Sequence, residues 1–413
     1  MCSWPRMIDR CRICANQELQ DVIDLGIQYL TGVFPRQKAE SQLTKGPLRL
    51  VRCCGNDGCG LVQLADSYDP AEMYGSNYGY RSGLNSSMVK HLAHRIESLC
   101  ALTNLQSGDV VIDIGSNDGT SLGFYSSELV RIGIDPTVDK FSLHYPKGAI
   151  ALSTFFSSDA ALTASGGKKA MVISAFSMMY DLENPTKFVR EIAEVLDPKG
   201  LFVFEQSYLP LMLERVAFDT ICHEHLEYYG VRQIDWILQA ANLEIVDIEL
   251  NDVNGGSFAV SAAHIGTRTI SDDVQKLREK ESELWKLGNS PFKRFERETG
   301  RAIATLRDFV DTEIKNGKTF GALGASTKGN VLLQAVGIGP SLLKVVGDVN
   351  PDKYGCVTPG SWIPIVSEEE ALEHSFDYYI VLPWHFKEFF VSSPKYRGRT
   401  LIFPLPEFEI IVL

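Results

Sequence analysis

The densest group of titratable side chains in the sequence is Phe218-Asp219-Thr220-Ile221-Cys222-His223-Glu224-His225-Leu226-Glu227-Tyr228-Tyr229. A histidine beside a carboxylate suits proton transfer, because imidazole titrates near neutral pH and a fixed neighbour can orient it. His225 is the candidate base and Glu224 its candidate helper, in a chain with only 8 histidines. His223 and His225 could share one face of a strand and bind a metal, but no third ligand follows at a suitable spacing. His223 therefore reads as structural. A second aromatic and polar segment holds Tyr68, Tyr74, Tyr78, Gly79, Tyr80, Arg81, Ser82 and Gly83. Its tyrosines suit packing, a lid or a ligand contact; Tyr80 is the next candidate in the chemistry, and Tyr78 and Arg81 are candidate substrate contacts.

Two stretches have the form of nucleotide-type turns. In Val110-Val111-Ile112-Asp113-Ile114-Gly115-Ser116-Asn117-Asp118-Gly119 a β-branched run ends in an acid and breaks into glycines. That reads as a buried parallel strand, a loop and a helix whose N-terminus offers free N–H groups. Asp135 ends the next apolar run, 20 residues beyond Gly115, where a carboxylate can accept ribose hydroxyls. The loop lacks the three crowding glycines of a pyrophosphate cradle, which favours S-adenosylmethionine held by Asp113, Gly115, Asn117, Gly119 and Asp135. Further on, Leu196-Asp197-Pro198-Lys199-Gly200-Leu201-Phe202-Val203-Phe204 resembles the helix end, turn and strand of class I methyltransferases. The second turn follows Thr319 to Leu323: Gly324-Ala325-Ser326-Thr327-Lys328-Gly329-Asn330, with Asp348 ending a later strand. Here a lysine sits in the loop and suits phosphate. One turn for S-adenosylmethionine and one for phosphate suggest that the methyl acceptor itself carries a nucleotide, with Lys328, Asn330 and Asp348 as its contacts.

Cys11-Arg12-Ile13-Cys14 and Cys53-Cys54-Gly55-Asn56-Asp57-Gly58-Cys59 form two close cysteine pairs. In a reducing compartment they suit a four-thiolate zinc that joins two knuckles and leaves no open coordination position for catalysis. The second pair is ambiguous. Cys53 continues the strand Leu48 to Arg52, so the expected ligands of a structural zinc are Cys11, Cys14, Cys54 and Cys59.

At 413 residues the chain exceeds one core, and its 45% hydrophobic and 22% charged content is that of a soluble globular protein. A net charge of −12 without a basic stripe argues against nucleic acid as a partner. No apolar run reaches membrane-spanning length and the opening residues lack a signal-peptide core, so a cytoplasmic protein is expected, its 9 cysteines reduced. The spacing predicts a helix from Ser86 to Thr103, then strands at Val110–Ile114, Arg131–Ile134, Ala170–Phe176 and Leu201–Glu205, with an amphipathic helix from Pro185 to Leu196. Strands alternating with helix-length segments give a parallel, doubly wound α/β sheet, closed by a hairpin of Glu244–Leu250 and Ser257–Ala262. Residues from Ile270 to Lys315 turn charged and helical, with Ile303, Leu306, Val310 and Ile314 on one face. The resulting domains are a zinc-binding module over 1–75, a class I methyltransferase Rossmann-like domain over 76–265, and a helical linker with a C-terminal Rossmann-like α/β domain over 266–413.

In this order the chain resembles the nucleotide-sugar C-methyltransferases that make 3-C-methyl branched deoxysugars. The resemblance runs through the cysteine pairs before Gly60-Leu61-Val62-Gln63-Leu64, the Asp113 to Gly119 loop, Glu224-His225, Gly337-Ile338-Gly339-Pro340 and Thr358-Pro359-Gly360. It implies structural zinc, S-adenosylmethionine in the middle domain, the nucleotide-sugar between middle and last domains, His225 as base, Glu224 as a neighbouring acid, and a tyrosine of the Tyr78 to Ser82 segment facing the sugar. The sequence departs from that pattern at Cys222, where the family carries tyrosine, and at Tyr180-Asp181, where it carries histidine. The expected reaction is methyl transfer to C3 of a nucleotide-linked 4-keto-deoxyhexose through an enolate. A nicotinamide-dependent oxidoreductase and a methyltransferase acting on a different carbon acid are the alternatives, and monomer and dimer stay equally open.

Overall fold

The computed structural model describes residues 5–36, 43–74 and 80–413, so Tyr78 lies outside the described residues. The central sheet has seven strands, in spatial order Ile150–Leu152, Val130–Ile134, Val110–Ile114, Ala170–Phe176, Leu196–Ser207, Ser257–His264 and Leu243–Asn251. Numbered along the chain, that order is 3-2-1-4-5-7-6, and the seventh strand alone runs opposite to the other six. This is the class I methyltransferase sheet. Its strands are apolar on both faces because helices cover both; Val110–Ile114 is buried throughout. The helix Pro185–Val195 buries Phe188, Val189, Ile192 and Val195. It starts with proline at its first turn, and Asn184 Oδ1 accepts from the Lys187 N–H.

One element differs from the expectation. The helix anticipated after Gly119 is a short 3₁₀ turn, Ser121–Phe124. Residues 120–129 alone connect Gly119 to the strand starting at Val130. The Asp118 carboxylate accepts the Thr120 N–H and hydroxyl at 3.3 and 2.6 Å, a local turn that competes with the first turn of a helix.

The last sheet has six strands, in spatial order Ile365–Ser367, Val346–Asp348, Phe320–Leu323, Tyr378–Val381, Thr400–Phe403 and Glu409–Val412. Along the chain this is 3-2-1-4-5-6, with the last strand antiparallel. It is the Rossmann order, whose ligand crevice lies beyond the carboxyl ends of strands 1 and 4. The charged segment before it folds as two helices, Asp272–Trp285 and Ser290–Lys315, the second burying Leu306 and Val310.

The first module is a sheet of Leu19–Tyr29, Lys45–Cys53 and Val62–Leu64, extended by a fourth strand, Glu227–Tyr228, from the middle of the chain. One hydrophobic core joins Val22, Leu48 and Val62 of this sheet to Phe218 and Leu226 and on to Leu332 and Ile380 of the last domain. A second core packs Cys11, Cys53 and Leu61 with Val110, Ile173 and Phe202 of the central sheet. The first module is thus built into both.

Phe202, fully buried between Phe188 and Phe204 with ring centroids at 6.5 and 5.0 Å, anchors the central core. Phe202→Ala should destabilise that domain by about 3–5 kcal/mol. Urea unfolding followed by the domain's own transition measures this, and a loss below about 1 kcal/mol would contradict the packing described.

Candidate active site

The loop after the first central strand is a tight backbone cradle. Gly115 and Gly119 have φ of +68° and +74°, and Asn117, in the left-handed region, has φ 51°. A Cβ at Gly115 would lie 3.0 Å from the Met178 side chain, and one at Gly119 2.9 Å from the Tyr145 ring. Asp135 holds this loop to the second strand: Oδ2 accepts the Asn117 N–H at 2.9 Å, and Oδ1 accepts the Thr137 N–H and hydroxyl at 2.6 and 2.5 Å. A carboxylate offers about four acceptor positions, so one is left for a ligand hydroxyl. Asp113 is buried and accepts from Ser174 Oγ at 2.6 Å; burial pushes its pKa up to about 7, against that hydrogen bond. It braces the loop from beneath. The Asn117 side chain accepts from the Ser82 N–H at 2.9 Å and donates to the Tyr80 carbonyl at 3.3 Å, and Asp118 accepts from the Gly83 N–H at 2.9 Å. Tyr80 and Arg81 are thereby laid across the cofactor loop, with the Arg81 Nε 3.6 Å from Asp118 and the Tyr80 side chain exposed.

His225 sits in the insertion that follows the fifth central strand. Its Nδ1 lies 2.9 Å from the Thr220 carbonyl oxygen. A carbonyl only accepts, so Nδ1 carries the hydrogen and the Nε2 lone pair is left for a proton. Burial, reinforced by the charge of Lys328, pulls its pKa down to about 3, so the imidazole is neutral at pH 7. The Tyr180 ring packs on it with centroids 4.1 Å apart. His223 is fully buried, edge-on to Tyr68 at 4.6 Å. Among the described residues the Glu224 carboxyl makes no hydrogen bond to the His225 imidazole; its Oε2 accepts from the Thr31 hydroxyl at 3.3 Å, and burial raises its pKa. Asp181 lies close enough to Glu224 to feel its charge; burial raises its pKa well above the carboxylate range.

The last domain delivers Lys328 to this place. Ser326 Oγ caps the helix Thr327–Val336 by accepting the Gly329 N–H at 3.0 Å. Lys328 Nζ donates to the Asn254 carbonyl in the hairpin loop of the central sheet. Burial lowers its pKa, and Asp219 opposes that most. Asp219 in turn accepts the Trp384 Nε1–H at 2.7 Å, and a Cβ at Gly255 would lie 3.1 Å from the Trp384 ring. The carboxyl ends of both parallel sheets therefore face one another across Lys328, His225 and Asn254. His385, on the same turn as Trp384, is held neutral, far below the usual imidazole range, by burial and by Lys328.

Two expected substrate contacts, Asn330 and Asp348, already hold protein groups. Asn330 is fully buried and donates to the Thr31 carbonyl at 2.7 Å, joining the last domain to the first. Asp348 accepts the Asn350 N–H at 2.7 Å and lies 3.8 Å from Lys353, whose Nζ donates to the Ala325 carbonyl at 2.7 Å. Thr31, Asp219, Asn254 and Trp384 were not singled out from the sequence. Asp219 carried a signal, being an acid inside the titratable cluster; the others stand in unremarkable local sequence and meet only through tertiary packing.

The cysteine cluster corrects one ligand. Cys11, Cys14, Cys53 and Cys59 have sulfurs within 4.8 Å of one another, whereas the Cys54 thiol turns out to the Glu18 carbonyl at 3.3 Å. The strand pairing continues through Leu19 opposite Cys53, so the pleat sends the Cys53 side chain inward and Cys54 outward. Strand membership, taken as an argument against Cys53, is what aims it. The Cys11–Cys59 and Cys14–Cys53 sulfurs are 3.5 and 3.4 Å apart, close to the edge of about 3.8 Å of a tetrahedron with zinc–sulfur bonds of about 2.3 Å. Without a cation the thiols conflict: the Cys59 hydrogen bond pulls Cys11 down to about 5, while burial and the Cys11 charge push Cys53 up to about 11. A divalent ion removes that conflict, so the donor set fits zinc.

Comparisons with known proteins agree with this construction. Residues 11–74 match a domain described as "Putative zinc binding domain", residues 86–248 a "Methyltransferase domain", and residues 252–406 a "C-methyltransferase C-terminal domain". The C-methyltransferase NovU of Streptomyces niveus is 28% identical over 98% of this chain and 97% of its own. Among solved structures, magnesium protoporphyrin IX methyltransferase of Synechocystis PCC 6803 with bound S-adenosylhomocysteine is 16% identical, spans 44% of this chain and 88% of its own, and has a TM-score of 0.35. An S-adenosylmethionine-dependent methyltransferase of Clostridium acetobutylicum is 13% identical over 43% of this chain and 92% of its own, with a TM-score of 0.33. Among the described residues no helix is long and apolar enough to cross a membrane.

Two outcomes follow from this geometry. Cys53→Ser should lose zinc on metal analysis of the purified protein while Cys54→Ser keeps about one zinc per chain; the reverse pattern would restore Cys54 as ligand. Asp135→Ala removes both the brace on Asn117 and the remaining acceptor position. Calorimetry should show S-adenosylhomocysteine binding at least about tenfold weaker, the equivalent of one charge-assisted hydrogen bond, and unchanged affinity would move the cofactor site.

Proposed function

For a chain that is an S-adenosylmethionine-dependent C-methyltransferase, we propose that the acceptor is C3 of a nucleotide-linked 4-keto-deoxyhexose and that His225 removes the C3 proton. The observation that carries this reading is an imidazole held neutral, with no partner on Nε2 among the described residues, beside a buried lysine, where the carboxyl ends of two nucleotide-type sheets meet. The resemblance to the nucleotide-sugar C-methyltransferases supports the sugar. In this reading the chain divides into a zinc module over 1–75, a methyl-donor domain over 76–265, and an acceptor domain over 266–413.

A 4-keto group acidifies the adjacent C3–H. Nε2 of His225 takes that proton, and the electron pair is delocalised onto C4–O as an enolate. The ammonium of Lys328 is the cation placed to offset the oxyanion or the diphosphate of the nucleotide, where a dry site makes its charge count for more than in water. Asp348 stands at the position of a ribose-binding acid in a Rossmann sheet, and Tyr80, with Arg81, covers the donor side. S-adenosylmethionine, when bound by Asp135 and the Gly115 to Gly119 loop, supplies an already electrophilic methyl group, so the chain's task is to generate and align the carbanion. The four thiolates give zinc no open position, and its contribution is to hold the first module together.

Solvent deuterium exchange at C3 of a thymidine diphosphate 4-keto-2,6-dideoxyhexose, followed by NMR without methyl donor, isolates the proton step. His225→Asn should slow exchange at least about a hundredfold, the usual scale of general-base catalysis, while S-adenosylhomocysteine binding stays within about twofold. Exchange at the wild-type rate would assign the base elsewhere. The pH dependence has a definite sign: the neutral imidazole is the active form, and with its pKa at about 3 it stays unprotonated through the weakly acidic range. The acid limb of kcat/KM should therefore lie below about pH 5, and a limb near the unperturbed histidine value of about 6.5 would contradict the environment described.

A further inference from the structure

We propose that Thr31 of the zinc-binding module is a positioning residue of the methyl-transfer site, orienting Glu224 and closing the third side of the active centre. This rests on the reading of His225 as the base and on the sequence expectation that Glu224 is the acid that assists at the same site. The turn after the strand Leu19–Tyr29 does not end at the module's surface. Thr31 is fully buried, and its two polar groups reach different domains: the hydroxyl donates to Glu224 Oε2 at 3.3 Å and the carbonyl accepts from Asn330 Nδ2 at 2.7 Å. The next residue is Gly32, and a larger side chain there would displace the Glu224 carboxyl. A Cβ at Gly32 would lie 1.9 Å from Glu224 Oε1 and 3.5 Å from Thr327 Oγ1, so the backbone itself fills the gap between the insertion and the helix that carries Lys328.

The turn is held from both sides. Leu30 and Val33 pack with Tyr68 and Met73 in a small core of the first module. On the other side the Tyr29 N–H donates to Gln334 Oε1 at 2.8 Å and the Gln334 amide donates back to the Tyr29 carbonyl at 3.2 Å, a closed pair with the helix Thr327–Val336. Thr31 therefore cannot move relative to Lys328 without breaking that pair. Glu224 is an acid 5% exposed, its Oε1 unpaired among the described residues and its carboxyl lying beside the Gly32 backbone and the Cys222 side chain. A buried carboxyl of this kind adopts the rotamer its few donors dictate, and Thr31 supplies one of them. The zinc module thus reaches the chemistry through one hydroxyl.

The test is a double-mutant cycle in the full chain, read by C3 proton exchange with thymidine diphosphate 4-keto-2,6-dideoxyhexose. Thr31→Val deletes the hydroxyl at nearly constant volume; if it does not accumulate as folded protein, Thr31→Ala serves. The expected result is about tenfold lower kcat for exchange with KM and S-adenosylhomocysteine affinity within about twofold, Thr31→Ser within about twofold of wild type, and no further loss when Thr31→Val is added to Glu224→Gln. Equal losses in the wild-type and Glu224→Gln backgrounds, or Thr31→Ser as slow as Thr31→Val, would overturn the positioning role alone. A Glu224→Gln enzyme that exchanges like wild type would instead overturn the part given to Glu224, and the present proposal with it.

Discussion

Everything at the site depends on one short backbone pairing. Glu227 and Tyr228 lie antiparallel to Gln63 and Val62, so two residues from the middle of the chain complete the sheet of the first module. Just before them, the Leu226 carbonyl accepts the Leu64 N–H at 2.8 Å and the Leu226 N–H donates to the Tyr180 carbonyl at 2.7 Å. His225 is therefore fixed at a point clamped by two domains, through main-chain groups that no side-chain substitution removes. Buried peptide groups left unpaired would be costly, which makes this placement rigid. Zinc stabilises the knuckles at one end of that sheet, and His225, the proposed base, hangs from its edge strand.

The electrostatics follow from the same enclosure. Burial works against charge on the imidazole and for charge-neutral carboxyls, so His225 falls and Glu224, Asp181 and Asp219 rise. Lys328, an ammonium in their midst, is opposed mainly by burial and supported by Asp219. The Lys328 charge keeps the imidazole neutral at rest, and in the proposed step it would offset the oxyanion that forms as Nε2 takes the proton. Trp384 holds Asp219 in place from the last domain, so the charge pattern itself spans the domain junction.

Much of this was legible from sequence where local pattern decides structure. The apolar run Val110–Ile114, the acid of Asp135 and the proline-capped helix at Pro185 are each dictated by neighbours a few residues away, and they appear where expected. The zinc set was legible to within one residue, and the error was one of pleat: a cysteine ending a strand can still point to the metal side. What was hidden is what long-range packing creates. A two-residue strand at Glu227–Tyr228 has no periodicity to read, Thr31 meets Glu224 across 193 residues of chain, and Asn330 occupies a phosphate-loop position yet hydrogen-bonds to another domain. The short edge strands Ile150–Leu152 and Ile365–Ser367 escaped for the same reason.

The central claim is that a carbon next to a ketone is the nucleophile. It is tested most directly by running the reaction with S-adenosylmethionine labelled with carbon-13 in the methyl group and locating the label by NMR correlation in the nucleotide-sugar product. The account predicts a methyl singlet on a quaternary carbon with long-range coupling to the adjacent C4. A methyl carried on oxygen or nitrogen, or on a carbon remote from the ketone, would contradict it.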